Sequence, residues 1–351
     1  MTTTLSGVTH ILETVWFILW GVIWGAYFVL DGFDLGVGIL MPFLSRDEAS
    51  RRAMFNAIGP FWDGNEVWLV AAGGVTFAAF PGTYAVLFSA LYAPLMLILF
   101  ALILRGAALG LRSELEGAKS RAFWDRVFAI SSFIPALLLG VTFANLFQGI
   151  PIDARGILHG TVLTLLNPYG LLGGFLFLVV FSLHGALWLC VKCDGALGER
   201  AALAARILWV ATAVFAVVFL LFTAFTTRLY DIYLHIPPLG AIPILSLLSL
   251  TASGVAIGIG TWKAAWYFTG VTTLTIVLFG VIGMYPNLII SSINPEFSRT
   301  IANSSSSLLT LRIMLTVASI FIPLVIIYQA WVYRIFRGKV TGENPSYEGL
   351  Y

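Results

Sequence analysis

Two pairs of carboxylates stand inside apolar stretches of this 351-residue chain. Asp31 and Asp34 lie in Ala26-Tyr-Phe-Val-Leu-Asp-Gly-Phe-Asp-Leu-Gly-Val-Gly38. Asp63 and Glu66 lie in Gly59-Pro-Phe-Trp-Asp-Gly-Asn-Glu-Val-Trp-Leu69. An ionisable side chain in a bilayer is costly. It faces a bundle interior, a partner or water, and it marks a route for ions or protons. Each pair is spaced i, i+3, so its members share a helix face. Carboxylates accept and release protons, so the chemistry these residues suggest is proton or cation conduction along Asp63, Asp31, Asp34 and Glu66. Arg105 is the candidate charge partner, and Asn65, Trp62 and His184 are candidate polar lining. Trp68 offers a further hydrogen bond. The competing reading is structural, with Arg105 pairing one or two of the acids and locking the helices together. Glu13, near an outer helix end, reads as an interfacial residue.

The elements that must carry these groups are membrane helices. Hydrophobic residues make up 59% of the chain and charged residues 10%, where a soluble domain has about 25% charged. Apolar runs long enough to cross a bilayer are read at 11–43, 56–80, 82–110, 122–149, 168–192, 202–228, 239–260, 263–285 and 307–335. The runs are continuously apolar, so a transmembrane barrel is excluded. With the amino terminus outside, the short inner segments hold the basic residues from Arg46 to Arg52, Arg105 to Arg126, Lys192 to Arg206, Lys263, and Arg334 to Lys339. Arg155, Arg228, Arg299 and Arg312 alone among the 19 lie outside. That asymmetry is the positive-inside pattern, and it puts the carboxyl-terminal tail in the cytoplasm. On this frame Asp34 and Asp31 lie roughly 14 and 18 Å from the inner end of their helix, and Asp63 and Glu66 roughly 10 and 15 Å from the same face. The four acids thus share one depth and could line one cytoplasmic half-channel. The first span has no basic leader and carries two aspartates, so it is no cleaved signal. The net charge of +2 gives no sign of nucleic-acid binding.

A break near 150–167 separates two groups of four helices and leaves a ninth over. The expected fold is an all-α integral membrane protein of nine transmembrane helices: a four-helix bundle over 1–150, a second over 167–285, and a peripheral helix at 307–336. Gly21-x3-Gly25, Gly106-x3-Gly110, Gly170-x3-Gly174 and Gly254-x3-Gly258 read as close helix contacts. Gly32 to Gly38 reads as tight packing around the acids. Asn303 to Ser307 reads as the cap of the ninth helix. Phosphate-loop, esterase-elbow and zinc-protease motifs are absent from the sequence. Cys190-x-x-Cys193 reads as two small buried thiols with no nearby pair to complete a metal site. Of four histidines, only His184 lies well inside a span, so the chain is poorly equipped to ligate several haems.

The motifs together resemble subunit II of cytochrome bd-type quinol oxidases. They are Gly32-Phe-Asp-Leu-Gly-Val-Gly38, Trp62-Asp-Gly-Asn-Glu-Val-Trp-Leu69, Asn145-Leu-Phe-Gln-Gly-Ile-Pro151, Leu166-Asn-Pro-Tyr-Gly170, Met284-Tyr-Pro286 and Leu308-Leu-Thr-Leu311. The resemblance implies a haem-free subunit paired with a related subunit I, which holds haems b and d and the quinol site. It implies reduction of dioxygen to water, with protons drawn from the cytoplasm, in the bacterial inner membrane. It assigns the proton-channel aspartate to Asp63, a first-span aspartate to Asp34 with Asp31 beside it, and charge partners to Arg105 and Asp125. Phe61 stands where family members often carry His. A small single-span accessory subunit, lipid and a structural quinone are further partners the family suggests. The rival reading is a stand-alone proton-coupled transporter, which would more often show discontinuous helices and an internal repeat; the spans here read as continuous.

Overall fold

The computed structural model describes residues 2–114 and 117–340, with the side chains of 2–6 and 113 left aside. The last part of the tail expected in the cytoplasm, 341–351, lies outside the described residues. Among the described residues, eight helices are long and apolar enough to cross a membrane. They are α1 (Thr2–Leu44, apolar from Gly7), α5 (Tyr92–Glu114), α6 (Ala118–Gln148), α8 (Pro168–Lys192), α9 (Gly195–Thr226), α11 (Ala241–Gly258), α12 (Trp262–Met284) and α14 (Leu308–Ile335).

Two expected spans differ from the expectation of continuous helices. The segment 56–80 is split into α2 (Glu48–Ile58) and α3 (Trp62–Ala79), with a turn at 59–61 between them. Pro60 has no N–H to continue the ladder, and the chain turns through Phe61 N–H bonded to Ile58 O at 2.8 Å. The polar block Asp63, Asn65, Glu66 then opens α3, which is why α3 is less apolar than the eight. The segment 82–110 is likewise divided into α4 (Pro81–Ala90) and α5 at Leu91, three residues before Pro94, whose ring removes one helical bond.

α1 is the hub. It packs on α3, α6, α8 and α12, while α8 also packs on α6 and α9, and α12 on α11. Close approach depends on missing side chains. A Cβ on Gly36 would meet Phe181 O at 1.9 Å, and one on Gly185 would meet Gly36 C at 2.6 Å, so α1 and α8 touch backbone to backbone. Gly21 and Gly25 are closed against the side chains of Val281 and Leu274 of α12. The second members of two expected contact pairs, Gly110 and Gly258, have nothing within 4 Å. They are not packing sites in this chain, and Gly110 instead lines a cleft.

One end of the bundle is closed by loops that the helix reading passed over. Residues β1 (Asn287–Ile289) and β2 (Arg299–Thr300) pair antiparallel, and Ile150 bridges to Ser291. Ile150, Ile152, Leu288 and Ile289 are fully buried beneath. The short helices α7 (Val162–Leu165), α10 (Asp231–His235) and α13 (Ile301–Ser304) complete this end. The family-like motifs at 145–151 and 166–170 act here as backbone staples. Asn167 caps α8 by accepting from Gly170 N–H at 2.8 Å and donates to Asn145 Oδ1, and Asn145 donates to Leu165 O at 2.7 Å. Ser307 accepts from Thr310 N–H and caps α14, in keeping with the expected cap. Glu13 has a protein partner at this end of α1. It is 6% exposed and accepts from Ser305 Oγ at 2.7 Å, because the loop before α14 folds over the end of α1.

Candidate functional site

Arg105, Asp31 and Glu66 meet in the middle of the helices. Arg105 Nη2 donates to Asp31 Oδ1 at 2.6 Å and to Glu66 Oε2 at 2.9 Å. Arg105 comes from α5, Asp31 from α1 and Glu66 from α3, so one guanidinium ties three helices together. Asp31 and Arg105 are essentially inaccessible, whereas the Glu66 side chain keeps 24% of its surface exposed. Asp34, one turn along α1 from Asp31, is also buried. It takes no arginine; Asn65 Nδ2 donates to Asp34 Oδ2 at 2.8 Å.

Among the described residues, several buried polar atoms of this cluster have no hydrogen-bond partner: Asp34 Oδ1 and Arg105 Nε and Nη1. The Tyr27 hydroxyl lies one helical turn before Asp31 and interacts with it. Leaving such groups unmade costs about 1–3 kcal/mol each. Their clustering around Asp31 and Asp34 makes this the most polar part of the helix interior.

Asp63 stands apart from the buried set. It is exposed and sits in the first turn of α3, where negative charge is favourable. It lines a cleft of about 600 Å³ bounded by α2, α3, α5 and α14. Trp62, Asn65, Gly106, Gly110, Arg112, Gln329 and Tyr333 share the lining. The i, i+3 spacing does keep Asp63 and Glu66 on one side of α3, but only Glu66 reaches Arg105. Asn65 is common to both regions, since it lines the cleft and donates to Asp34.

Two of the other candidates lie elsewhere. His184, on α8, is buried against Phe33 and stacks flat on Trp266 with ring centroids 5.3 Å apart. Its Nδ1 is 2.8 Å from Thr269 Oγ1, so its partner is a hydroxyl and not an acid. Asp125 does not meet Arg105. It accepts from Arg112 Nε at 2.5 Å and lies 3.6 Å from Arg51, in a charged lattice with Glu48 at the ends of α2 and α5. Cys190 and Cys193 are buried free thiols, and burial pushes the Cys193 thiol up to about 12, which keeps it protonated and unreactive at neutral pH. Among the described residues no group of three His, Cys, Asp or Glu side chains is arranged to hold a metal.

Sequence reading missed the contribution of α14. Trp68 Nε1 donates to Gln329 Oε1 at 2.9 Å, and Asn65 Oδ1 accepts from Gln329 Nε2 at 2.8 Å and from the Tyr333 hydroxyl at 3.1 Å. The available signal was a glutamine in an otherwise apolar span, which calls for a polar partner.

Residues 12–336 match the family model for cytochrome bd terminal oxidase subunit II. The chain belongs to that family. Cytochrome bd ubiquinol oxidase subunit 2 of Bacillus subtilis is 36% identical over 340 residues, covering 95% of this chain and 98% of that one. Cytochrome bd-I ubiquinol oxidase subunit 2 of Escherichia coli is 34% identical, covering 95% and 97%. A chain of the bd oxidase from Geobacillus thermodenitrificans has the same fold, with a TM-score of 0.72 at 18% identity over 93% of this chain and 98% of that chain. This subunit II is therefore a multi-pass inner-membrane component of an oxidoreductase complex.

Proposed function

We propose that this chain is the haem-free subunit of a terminal oxidase that oxidises quinol and reduces dioxygen to water, and that it carries protons from the cytoplasm toward the haem site of subunit I. The observation that carries the proton path is the double role of Asn65. It lines the cleft that holds Asp63 and it touches buried Asp34. Asp63 collects the proton at the open mouth. Asp34, Asp31 and Glu66 hold it in turn, with water bridging between them. Arg105 keeps the carboxylates at one level and offsets their charge. The haems b and d supply the oxygen chemistry in subunit I, and no step is assigned to them in this chain. Subunit I, lipid, a structural quinone and a small single-span subunit are the proposed partners of the apolar outer helices.

The turn at 59–61 is the kind of helix interruption seen in transporters. The transporter reading is not adopted, since relatives at 34–36% identity over nearly the whole chain are oxidase subunits. Asp63→Asn tests the path. Oxygen consumption with quinol should fall about 100-fold, the usual order for a lost proton-transfer group, while the reduced-minus-oxidised haem spectrum stays native. Native turnover removes Asp63 from the path. Loss of haem and of subunit I would instead give the acids a scaffolding role.

A further inference from the structure

The helix α14 is almost bare of contacts. Along its length Ile313, Val317, Ile320, Leu324, Ile327, Trp331 and Ile335 are exposed, as suits a helix facing lipid. Its inward edge is narrow. Over its last turns Gln329, Val332, Tyr333 and, just past its end, Phe336 are the half-buried positions, spaced i, i+3, i+4 and i+7 so as to share one face. Two of those four are polar, and both end on the same atom, Asn65 Oδ1.

The direction of this hydrogen-bond chain follows from the donor inventory. The Trp68 indole N–H can only donate, so the Gln329 carbonyl oxygen faces it, at 2.9 Å. The Gln329 amide NH2 must then face Asn65 and donate to Oδ1 at 2.8 Å. The Tyr333 hydroxyl donates to the same oxygen at 3.1 Å. With its oxygen taken twice, Asn65 has only its NH2 left for Asp34, and that bond is 2.8 Å. With Gln329 donating to it, the Asn65 amide meets its three partners in this orientation. Every bond in the series points its hydrogen toward Asp34.

The inner end of α14 is also fixed. Lys192 Nζ donates to Phe336 O at 2.5 Å and to Gly338 O at 2.6 Å, a cation on the carbonyl end of a helix. It lies 5.7 Å from the Phe61 and Trp188 rings, and Phe61 in turn packs on Tyr333 with centroids 4.5 Å apart. The clamp holds Tyr333 and Gln329 at a set height against α3.

We propose that Gln329 and Tyr333 are positioning residues, through which α14 locks the Asn65 amide with its NH2 on Asp34. This rests on the proton-path reading and deepens it. If Asn65 were free to turn over, its oxygen would face a carboxylate, and Asp34 would lose its donor for part of the time. A merely space-filling α14 makes no such demand, and it would tolerate any side chain of similar length at position 329.

The test uses the assembled oxidase in detergent, with Gln329→Met, Tyr333→Phe, Asp34→Asn and Asp63→Asn assayed for quinol-driven oxygen consumption across pH. Methionine keeps the length of glutamine and removes the donor. For Gln329→Met we expect a native haem spectrum, an unchanged KM for quinol, a turnover lowered about tenfold, and a pH dependence displaced by about one unit, the size that a hydrogen bond to a carboxylate sets. Tyr333→Phe should displace it in the same sense by less. Native turnover and an undisplaced pH profile in both variants overturn the positioning role. If Asp34→Asn and Asp63→Asn are slow in that case, the proton path stands without α14; if they too are native, the path itself is wrong. Should Gln329→Met fail to assemble, Tyr333→Phe, which removes one oxygen atom, decides the matter by the same two outcomes.

Discussion

Replacing Arg105 by methionine separates the structural role of the buried cluster from its role in proton transfer. The Arg105 guanidinium is 1% exposed and pairs with Asp31 at 2.6 Å and Glu66 at 2.9 Å. At an effective dielectric constant of about 20, each contact is an attraction of roughly 6 kcal/mol. Taking three charged groups out of water cancels most of that sum. The net worth of the cluster is therefore small, but the cost of removing one partner is not, because Asp31 and Glu66 stay where they are without a counter-charge. Arg105→Met should cost about 3–5 kcal/mol, a large part of the roughly 5–15 kcal/mol that holds a folded domain. Asp31→Asn is milder, since Arg105 keeps Glu66. The combination of Arg105→Met with Asp31→Asn and Glu66→Gln removes the charges together, so it should recover part of the stability lost in the single variant. The assay is thermal loss of the haem absorption bands in the purified complex. The order expected is native most stable, then Asp31→Asn, then the triple variant, then Arg105→Met. An Arg105→Met complex within about 1 kcal/mol of native, or a triple variant less stable than it, would refute the charge-compensation reasoning.

Asp63→Asn should leave that melting temperature unchanged, within about 0.5 kcal/mol, because the side chain is exposed in the cleft; calorimetry or the same haem-loss assay checks it. Gly36→Ala should strongly destabilise the complex, by about 3 kcal/mol or more, since its Cβ would lie 1.9 Å from Phe181 O. Gly110→Ala, with open space around it, should be neutral or gain up to about 1 kcal/mol of helix propensity. In the loop between α6 and α7, His159 Nε2 and the N–H groups of Ile157 and Arg155 pull the Asp153 carboxyl down to about 2. A carboxylate held below its usual value stabilises the loop while it is ionised. The contribution is present above the ordinary carboxylate range and is lost as pH falls through about 4 toward 2. Amide exchange of residues 150–160, corrected for intrinsic rates, should lose protection over that window in the native chain and be insensitive to it in Asp153→Asn.

Much of this protein follows from its one-dimensional pattern. A bilayer demands about 20 apolar residues per helix whatever the neighbours are, so the spans 122–149, 168–192 and 307–335 are legible to within a few residues of α6, α8 and α14. Charged residues are so costly in such spans that Asp31, Asp34, Glu66 and Arg105 stand out as a candidate set before any contact is known. Tertiary structure decided how that set is divided. Arg105 chose Asp31 and Glu66, Asn65 took Asp34, Asp63 was left at the cleft, and Asp125 went to Arg112. Helical spacing limits which face a residue occupies, but the azimuth of one helix against another sets its partner. That azimuth depends on where backbones can touch, as at Gly36 and Gly185. The break at 59–61 and the inward edge of α14 belong to the same class. Pro60 permits the turn, and packing places Gln329 and Tyr333 on an asparagine more than 260 positions away in sequence. Hydropathy carries no information about such a distant pairing.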